Sequence, residues 1–418
     1  MLQDFRALNL LILIFSAINV IAFGLFKISL LNHPRNKTYQ PTECRALIQG
    51  HRFRARNNGL SPHRARIRPN TRLAFVSGIE NAFTTPDEEY ATHFVRNARH
   101  LINLKAQDWE QLAKRLQSTA NELTSTAHRL HLASVVQSLS LRIILTTLLN
   151  AELDILPDAD KHMVSLAQAI NRAWVSSKND VDLIEFAHNP DLQASLSALF
   201  PTFERTNPRE NPLCWILPGF ETSWRINLRM VLELLLNTGQ THLDWTATMT
   251  AFAENPTKTQ FEAPGADGVS AKDLVAEGLR LYPPTRRIYR AFEWEENGAR
   301  NSDTFAADVE ACHLASGVWG RDALKYNPLR WRAVTDVQKQ AYMPFGGAPF
   351  ECPAKAVFGP RMIAMVVGVF VGVLQVGNGW RMVDKGGNGV NNVFCGERLK
   401  NDRDSYEELF LVRAAGGV

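Results

Sequence analysis

Cys352 has the most chemistry gathered around it. It closes the run Phe345-Gly346-Gly347-Ala348-Pro349-Phe350-Glu351-Cys352, and Pro353-Ala354 then lead into a long apolar stretch. A glycine-rich loop here delivers one thiol to the start of a helix. Free N–H groups and the helix dipole lower a thiol pKa at such a position. A thiolate held this way can ligate a haem iron. On the residues alone, a buried cysteine at a turn is the other outcome. Three more patterns precede it. Glu277 and Arg280 stand at i and i+3, on one helix face, and can pair. Leu281-Tyr282-Pro283-Pro284 follow, then Arg290. In Tyr326-Asn327-Pro328-Leu329-Arg330-Trp331 the arginine can complete a buried charge cluster with Glu277 and Arg280, or the segment is an ordinary turn. Pro218-Gly219-Phe220-Glu221-Thr222-Ser223 puts a glycine, an acid and hydroxyls inside an apolar run. Glycine costs about 1 kcal/mol there relative to alanine, and a buried acid is expensive unless paired or used. Gly219 could let a ligand approach the backbone, and Glu221 with Thr222 could relay protons. The alternative is a packing glycine beside a surface glutamate.

These patterns need helices to position them. Residues 88–178 carry helical spacing, with Trp109, Leu112 and Leu116 recurring at three and four, as do Val135, Val136, Leu139, Ile143, Ile144 and Leu148. Residues 201–212 hold three prolines and read as a loop. Residues 213–236 read as one long helix, and 272–281 as a short one stopped by Pro283-Pro284. Short strand-like pieces and loops fill the chain to Pro349. A final helix is predicted over 353–376, with short strands over 380–383 and 408–412. The expected class is mainly α with a small β portion.

The 418 residues carry 46 Lys+Arg against 42 Asp+Glu, a net charge of +4 that does not suggest a nucleic-acid binder. With 45% hydrophobic and 21% charged residues, the chain is not disordered or fibrous. The five cysteines form no CxxC, which argues against a zinc ribbon or a disulfide scaffold and fits a reducing compartment.

Residues 7–26 contain no charge. At about 1.5 Å per residue they span roughly the 30 Å of a bilayer core. Asp4 and Arg6 precede the run. Lys27, His33, Arg35, Lys37, Arg45, Arg52, Arg54, Arg56, Arg64 and Arg66 follow it, so the positive-inside rule leaves the rest of the chain in the cytosol. The expected layout is a transmembrane anchor over 1–26, a basic proline-containing linker over 27–69 and a catalytic domain over 70–418.

The four patterns, in this order and with these gaps, resemble the cytochrome P450 haem-thiolate monooxygenases in their microsomal, fungal-type form. The resemblance covers about 70–418 and suits the anchor. It implies a cytochrome P450-like fold behind a single N-terminal transmembrane helix, with haem b as cofactor. It makes Cys352 the proximal iron ligand, with Phe345 and Gly346 in the cysteine loop. It makes Glu277, Arg280 and Arg330 the structural Glu-Arg-Arg cluster, and Glu221 and Thr222 the proton-delivering pair. Arg290 and the helix region of His93, Arg96 and Arg99 are expected to contact haem propionates. The implied activity inserts one oxygen atom from O2 into a small apolar molecule in secondary metabolism. NADPH-cytochrome P450 reductase is the implied electron donor, and Lys355 and Arg361 are expected to face it. The implied location is the endoplasmic reticulum membrane, held through lipid contact of the anchor. Four residues depart from the family's pattern. Ala348 and Ala354 replace glycines, Phe350 replaces a basic residue that commonly pairs with a propionate, and Pro218 replaces alanine, so a kink is expected there. Two other readings stay open: a haem-thiolate enzyme of isomerising, dehydrating or ring-forming chemistry, and a non-catalytic tethered scaffold. Labelled dioxygen in the product separates the first from monooxygenation. An unchanged phenotype on Cys352→Ala would favour the second.

Overall fold

The computed structural model describes residues 36–54, 56–178, 183–375, 379–390 and 396–413. The expected anchor lies outside the described residues, as does the linker up to residue 35. From Asn36 onward the expected linker is instead part of the fold. Its helices are α1 (Pro41–Gln49), α2 (Pro62–Ile67) and, beyond the short turn 68–70, α3 (Thr71–Ser77). Ser61 caps α2 by accepting from the Arg64 N–H, and Pro62 fills the first turn, where no N–H is needed. Cys44, Leu47, Ile48 and Ala65 are buried from this stretch.

Helices α4 (Glu88–Leu101), α5 (Ala106–Thr126), α6 (Leu132–Leu149), α7 (Ala159–Ser176) and α8 (Pro190–Leu199) precede the long α9 (Leu213–Leu236). Then come α10 (Leu243–Glu254), α11 (Lys258–Glu262), α12 (Ala271–Leu281), α13 (Val309–Leu314), α14 (Ser316–Trp319), α15 (Asp336–Ala341) and α16 (Phe358–Gln375). Helix α9 is buried on nearly every side and packs against α6 and α16. Helix α16 also packs on α10 and α5. Gly368 and Gly372 let it approach closely: a Cβ on Gly368 would stand 2.2 Å from the Met249 carbonyl oxygen.

Among the described residues α6 is the helix long and apolar enough to cross a membrane. It is a core helix here. Arg142 sits inside it and donates to Asp154 at 3.0 Å and Asp160 at 3.1 Å.

Among the described residues the β portion is three small sheets. Two-residue β1 (Lys37–Thr38) runs parallel to β6 (Ala299–Asp308), which pairs along its length with β5 (Arg287–Glu296). The turn between β5 and β6 is Asn297-Gly298, both at positive φ, the favoured two-residue hairpin connection. Strands β2 (Arg52–Phe53) and β3 (Arg56–Asn57) form a second sheet. In the third, β8 (Phe410–Arg413) lies between β4 (Arg129–His131) and β7 (Trp380–Val383). The segment expected as short pieces up to Pro349 therefore holds one hairpin of two ten-residue strands, followed by short helices.

Candidate functional site

Capping fixes the start of α12. Ser270 and Asp273 form a reciprocal capping box. Further along the helix Glu277 and Arg280 are both fully buried. Arg280 donates to the Glu277 carboxylate through Nη2 at 2.8 Å and Nε at 2.9 Å. Arg330 Nε reaches the same carboxylate at 2.9 Å, the Asn327 N–H at 2.9 Å and the Trp331 indole at 3.1 Å. The remaining Arg280 N–H groups donate to the carbonyls of His313, Ala323 and Lys325, and Arg330 pairs with Asp322 at 2.9 Å. Two acids and two guanidiniums leave no net charge in this node. The structure thus brings Glu277, Arg280 and Arg330 together, and adds Asp322 and Trp331.

His313 ties this node to the cysteine loop. The Met343 N–H donates to its Nε2 at 2.9 Å, so Nδ1 carries the proton and donates to the Arg280 carbonyl at 3.1 Å. Burial, reinforced by the Arg280 charge, lowers the ring pKa to about 3 and keeps it neutral. Tyr342 lies between the rings of His313 and Trp331. No motif pointed to His313, because its neighbours in sequence carry no pattern.

The loop from Phe345 to Cys352 closes on itself. Cys352 N–H donates to the Phe345 carbonyl at 3.0 Å, Gly346 N–H to Met343 and Phe350 N–H to Gly347, both at 3.0 Å. Gly346 has φ +72°, a conformation that favours glycine. The Phe345 ring fills the space beside Gly359, where a Cβ would sit 2.9 Å from it. Cys352 precedes a three-residue 3-10 turn, Pro353–Lys355, rather than α16 itself, which begins at Phe358. The expected lowering of its pKa is overturned. Burial pushes the thiol up, against the opposing pull of the Ala354 N–H and the Arg66 guanidinium. A short turn offers a weaker dipole than a full helix. Cys352 is still half-exposed, whereas Cys44, Cys214 and Cys312 are buried.

Phe350 lies between two cations. The Arg66 guanidinium stands 4.7 Å from its ring centre and that of Arg290 5.2 Å. Arg290 donates to the carbonyls of Ile48 at 3.0 Å and Tyr289 at 2.8 Å. Burial, and then the neighbouring Arg66, lower the Arg290 pKa to about 9; burial lowers that of Arg66 to about 10. Arg66 falls in the expected linker and was not anticipated. The Ser61-Pro62 helix start was the signal that could have placed it in the fold. Arg96 is exposed on α4 and takes no part in these contacts. Arg361 is buried, donates to the Pro256 carbonyl and lies 4.3 Å over the Trp109 ring, so it does not face a partner as expected.

On α9, Pro218 cannot donate to the Cys214 carbonyl. The side-chain amide of Asn81 does so instead, at 3.1 Å, and the helix runs on as one 24-residue element. Gly219 is a packing glycine: a Cβ there would meet Ile144 of α6 at 2.7 Å. The expected ligand approach at Gly219 is therefore not what the structure shows. Glu221 is buried and its Oε2 is held by Arg403, while its Oε1 is buried without a hydrogen-bond partner. The Thr222 hydroxyl donates to the Pro218 carbonyl at 3.2 Å. Arg403, 182 residues from Glu221, carried no sequence signal.

No family model matches the chain. Over 152 residues it is 29% identical to the cytokinin hydroxylase of Arabidopsis thaliana; this match spans 30% of the chain and 30% of that curated relative. Solved structures cover far more. A six-coordinated cytochrome P450 from Thermus thermophilus is 14% identical, with a TM-score of 0.53 over 81% of this chain and 84% of that one. The haem domain of cytochrome P450DA is 15% identical, with a TM-score of 0.53 over 83% of this chain and 82% of that one. The chain has the cytochrome P450 fold.

Proposed function

We propose that the chain is a haem-thiolate monooxygenase that acts on a small apolar molecule of the secondary-metabolite kind. The observation that carries this is the Cys352 loop, closed through Phe345 and tied by His313 to the buried Glu277–Arg280–Arg330 node, within a cytochrome P450 fold. The donor set suits haem b. One half-exposed thiol stands near two guanidiniums that form no ion pair among the described residues, a match for a metal and two carboxylates. Cys352 would ligate the iron; Arg66 and Arg290 would take the propionates. Bound haem supplies the one-electron and dioxygen chemistry. The chain's own residues do the rest. Arg403 holds one oxygen of Glu221 and leaves the other unsatisfied, which suits a carboxylate that passes protons through water. The Thr222 hydroxyl is oriented by the Pro218 carbonyl at the next position of α9.

Electrons come from NADPH through a reductase with an acidic face. Helix α4 packs on the turn Pro353–Lys355, and its exposed His93, Arg96, Arg99 and His100, together with Lys355, form a basic surface beside Cys352. Residues 1–26 hold the domain on the cytosolic side of the endoplasmic reticulum membrane.

The carbon monoxide difference spectrum of the dithionite-reduced protein tests the reading. A strongly red-shifted Soret band, lost in Cys352→Ser, is expected. Folded protein without a haem band, or with the band of a neutral proximal ligand, overturns it. NADPH and oxygen consumption with added reductase then tests turnover.

A further inference from the structure

Arg225 and Arg229 stand at i and i+4 on α9, so both guanidiniums lie on one side of the helix. Arg229 is 0% exposed, and Arg225 is partly exposed. Both donate to backbone carbonyls: Arg225 to Pro284 at 3.0 Å and Asn401 at 3.2 Å, Arg229 to Lys400 at 3.3 Å and to Asp402. Each keeps one buried nitrogen without a hydrogen-bond partner, Nε of Arg225 and Nη1 of Arg229. Burial, then the neighbouring Arg225, lowers the Arg229 pKa to about 10, so it stays charged at neutral pH. The acids around them are engaged elsewhere. Arg403 holds Glu221, Arg398 and Arg286 hold Glu310, and Arg286 also holds the Asp402 carboxylate. Those pairs cancel. Glu233, four residues beyond Arg229, accepts from the Tyr282 hydroxyl, and burial pushes its pKa up to about 7. The charge left over is that of Arg225 and Arg229, which form no ion pair among the described residues. A carbonyl or a water satisfies an N–H and leaves the charge unbalanced; an anion does both.

We infer that Arg225 and Arg229 form a carboxylate-binding site, each giving its spare N–H to one oxygen of the ligand. A carboxylate presents two acceptor oxygens and one charge in a plane, which matches guanidinium donors. Arg229 is the floor of the site and the partly exposed Arg225 its mouth. The carboxylate belongs to a free small acid or is the head of an apolar acid. Arg225 lies three residues beyond Thr222, on the same flank of α9. In the second case the site therefore sets the substrate class, an apolar acid, and that arm alone rests on the monooxygenase reading above.

The test is equilibrium dialysis of the full chain against radiolabelled acetate, decanoate and decanamide. Acetate is the carboxylate alone, and decanamide keeps the alkyl chain without the charge. Wild type is expected to bind decanoate at least about tenfold more tightly than decanamide, and Arg229→Met should weaken decanoate roughly 10- to 100-fold, the range of a hydrogen bond to a charged group, while leaving decanamide within about threefold. Acetate as tight as decanoate identifies a free small acid; decanoate much tighter than acetate identifies an apolar acid. Urea midpoints check folding. Arg225→Met, at the partly exposed mouth, is the second variant and should also weaken decanoate and spare decanamide. No retention of either carboxylate at millimolar concentration, equal weakening of decanoate and decanamide, or unchanged affinities in both variants overturns the inference. If the carboxylates bind as expected while the folded protein shows no haem band, the monooxygenase reading falls and the site stands.

Discussion

Glu277→Gln removes the charge at the centre of the buried node. The carboxylate is 0% exposed, as is Arg280, and it accepts from Arg280 twice, from Arg330, from the Asn327 N–H and from the Trp331 indole. An amide keeps one acceptor oxygen and turns an NH2 toward groups that are all donors. The node goes from neutral to a net charge of +1, with Asp322 left to balance two guanidiniums. Removing one side of a buried pair costs about 3–5 kcal/mol. A whole fold is stabilised by about 5–15 kcal/mol, so the loss is a large share of it. With a urea slope of about 3 kcal/mol/M, the midpoint falls by roughly 1–1.7 M. Lys355→Ala is the control, because the Lys355–Glu351 pair is about half-exposed on both sides and is worth less than about 1 kcal/mol. The assay is urea unfolding followed by fluorescence, with haem content measured in parallel. Haem content should drop as well, since Met343 is anchored through His313 to the Arg280 carbonyl. A Glu277→Gln midpoint within about 0.3 M of wild type would refute the reasoning.

Two buried groups should give opposite pH dependences. His313 has a folded pKa of about 3, below the ordinary value, so its contribution is complete above about pH 6.5 and is lost as the pH falls toward 3, at up to about 1.4 kcal/mol per unit. Glu233 is pushed up to about 7 by burial, so stability falls as the pH rises from about 4.5 through 7. His313→Gln should flatten the acid limb of the stability curve and Glu233→Gln the neutral one; unfolding free energies from pH 4 to 8 that keep both slopes would reject the assignments. Asn81→Ala should cost about 1–3 kcal/mol by leaving the Cys214 carbonyl bare, and less when Pro218→Ala returns a backbone donor. A double-mutant cycle with no coupling would show that Asn81 does not substitute for the missing N–H.

Much of this was readable from local pattern. Helix α9 begins and ends where its apolar run does, and α12 stops at Pro283-Pro284. The Glu277, Arg280 and Arg330 node was readable because two short motifs fix it. Other parts depended on distant neighbours. Arg361 and Lys355 look alike in sequence, yet one is buried against Trp109 and the other is exposed. Arg66 packs against the Phe83 and Phe350 rings while Arg96 is exposed on α4, because burial of a guanidinium is decided by which elements pack over it. Two misses were avoidable. Asn297-Gly298 between two runs is a hairpin signal, and Ser61-Pro62 is a helix start.

The departures in the cysteine loop do not weigh equally. Ala348 is exposed and is not among the residues at positive φ, so an alanine there meets neither a clash nor backbone strain. Ala354 sits in the middle of the turn Pro353–Lys355, where alanine suits helical backbone better than glycine. Phe350 differs in kind, because it trades a charge for a ring. That ring is contacted from outside the loop: α2 brings the Arg66 guanidinium to it, and β5 brings that of Arg290. A substitution that reads as a lost contact in one segment therefore becomes a constraint on two others.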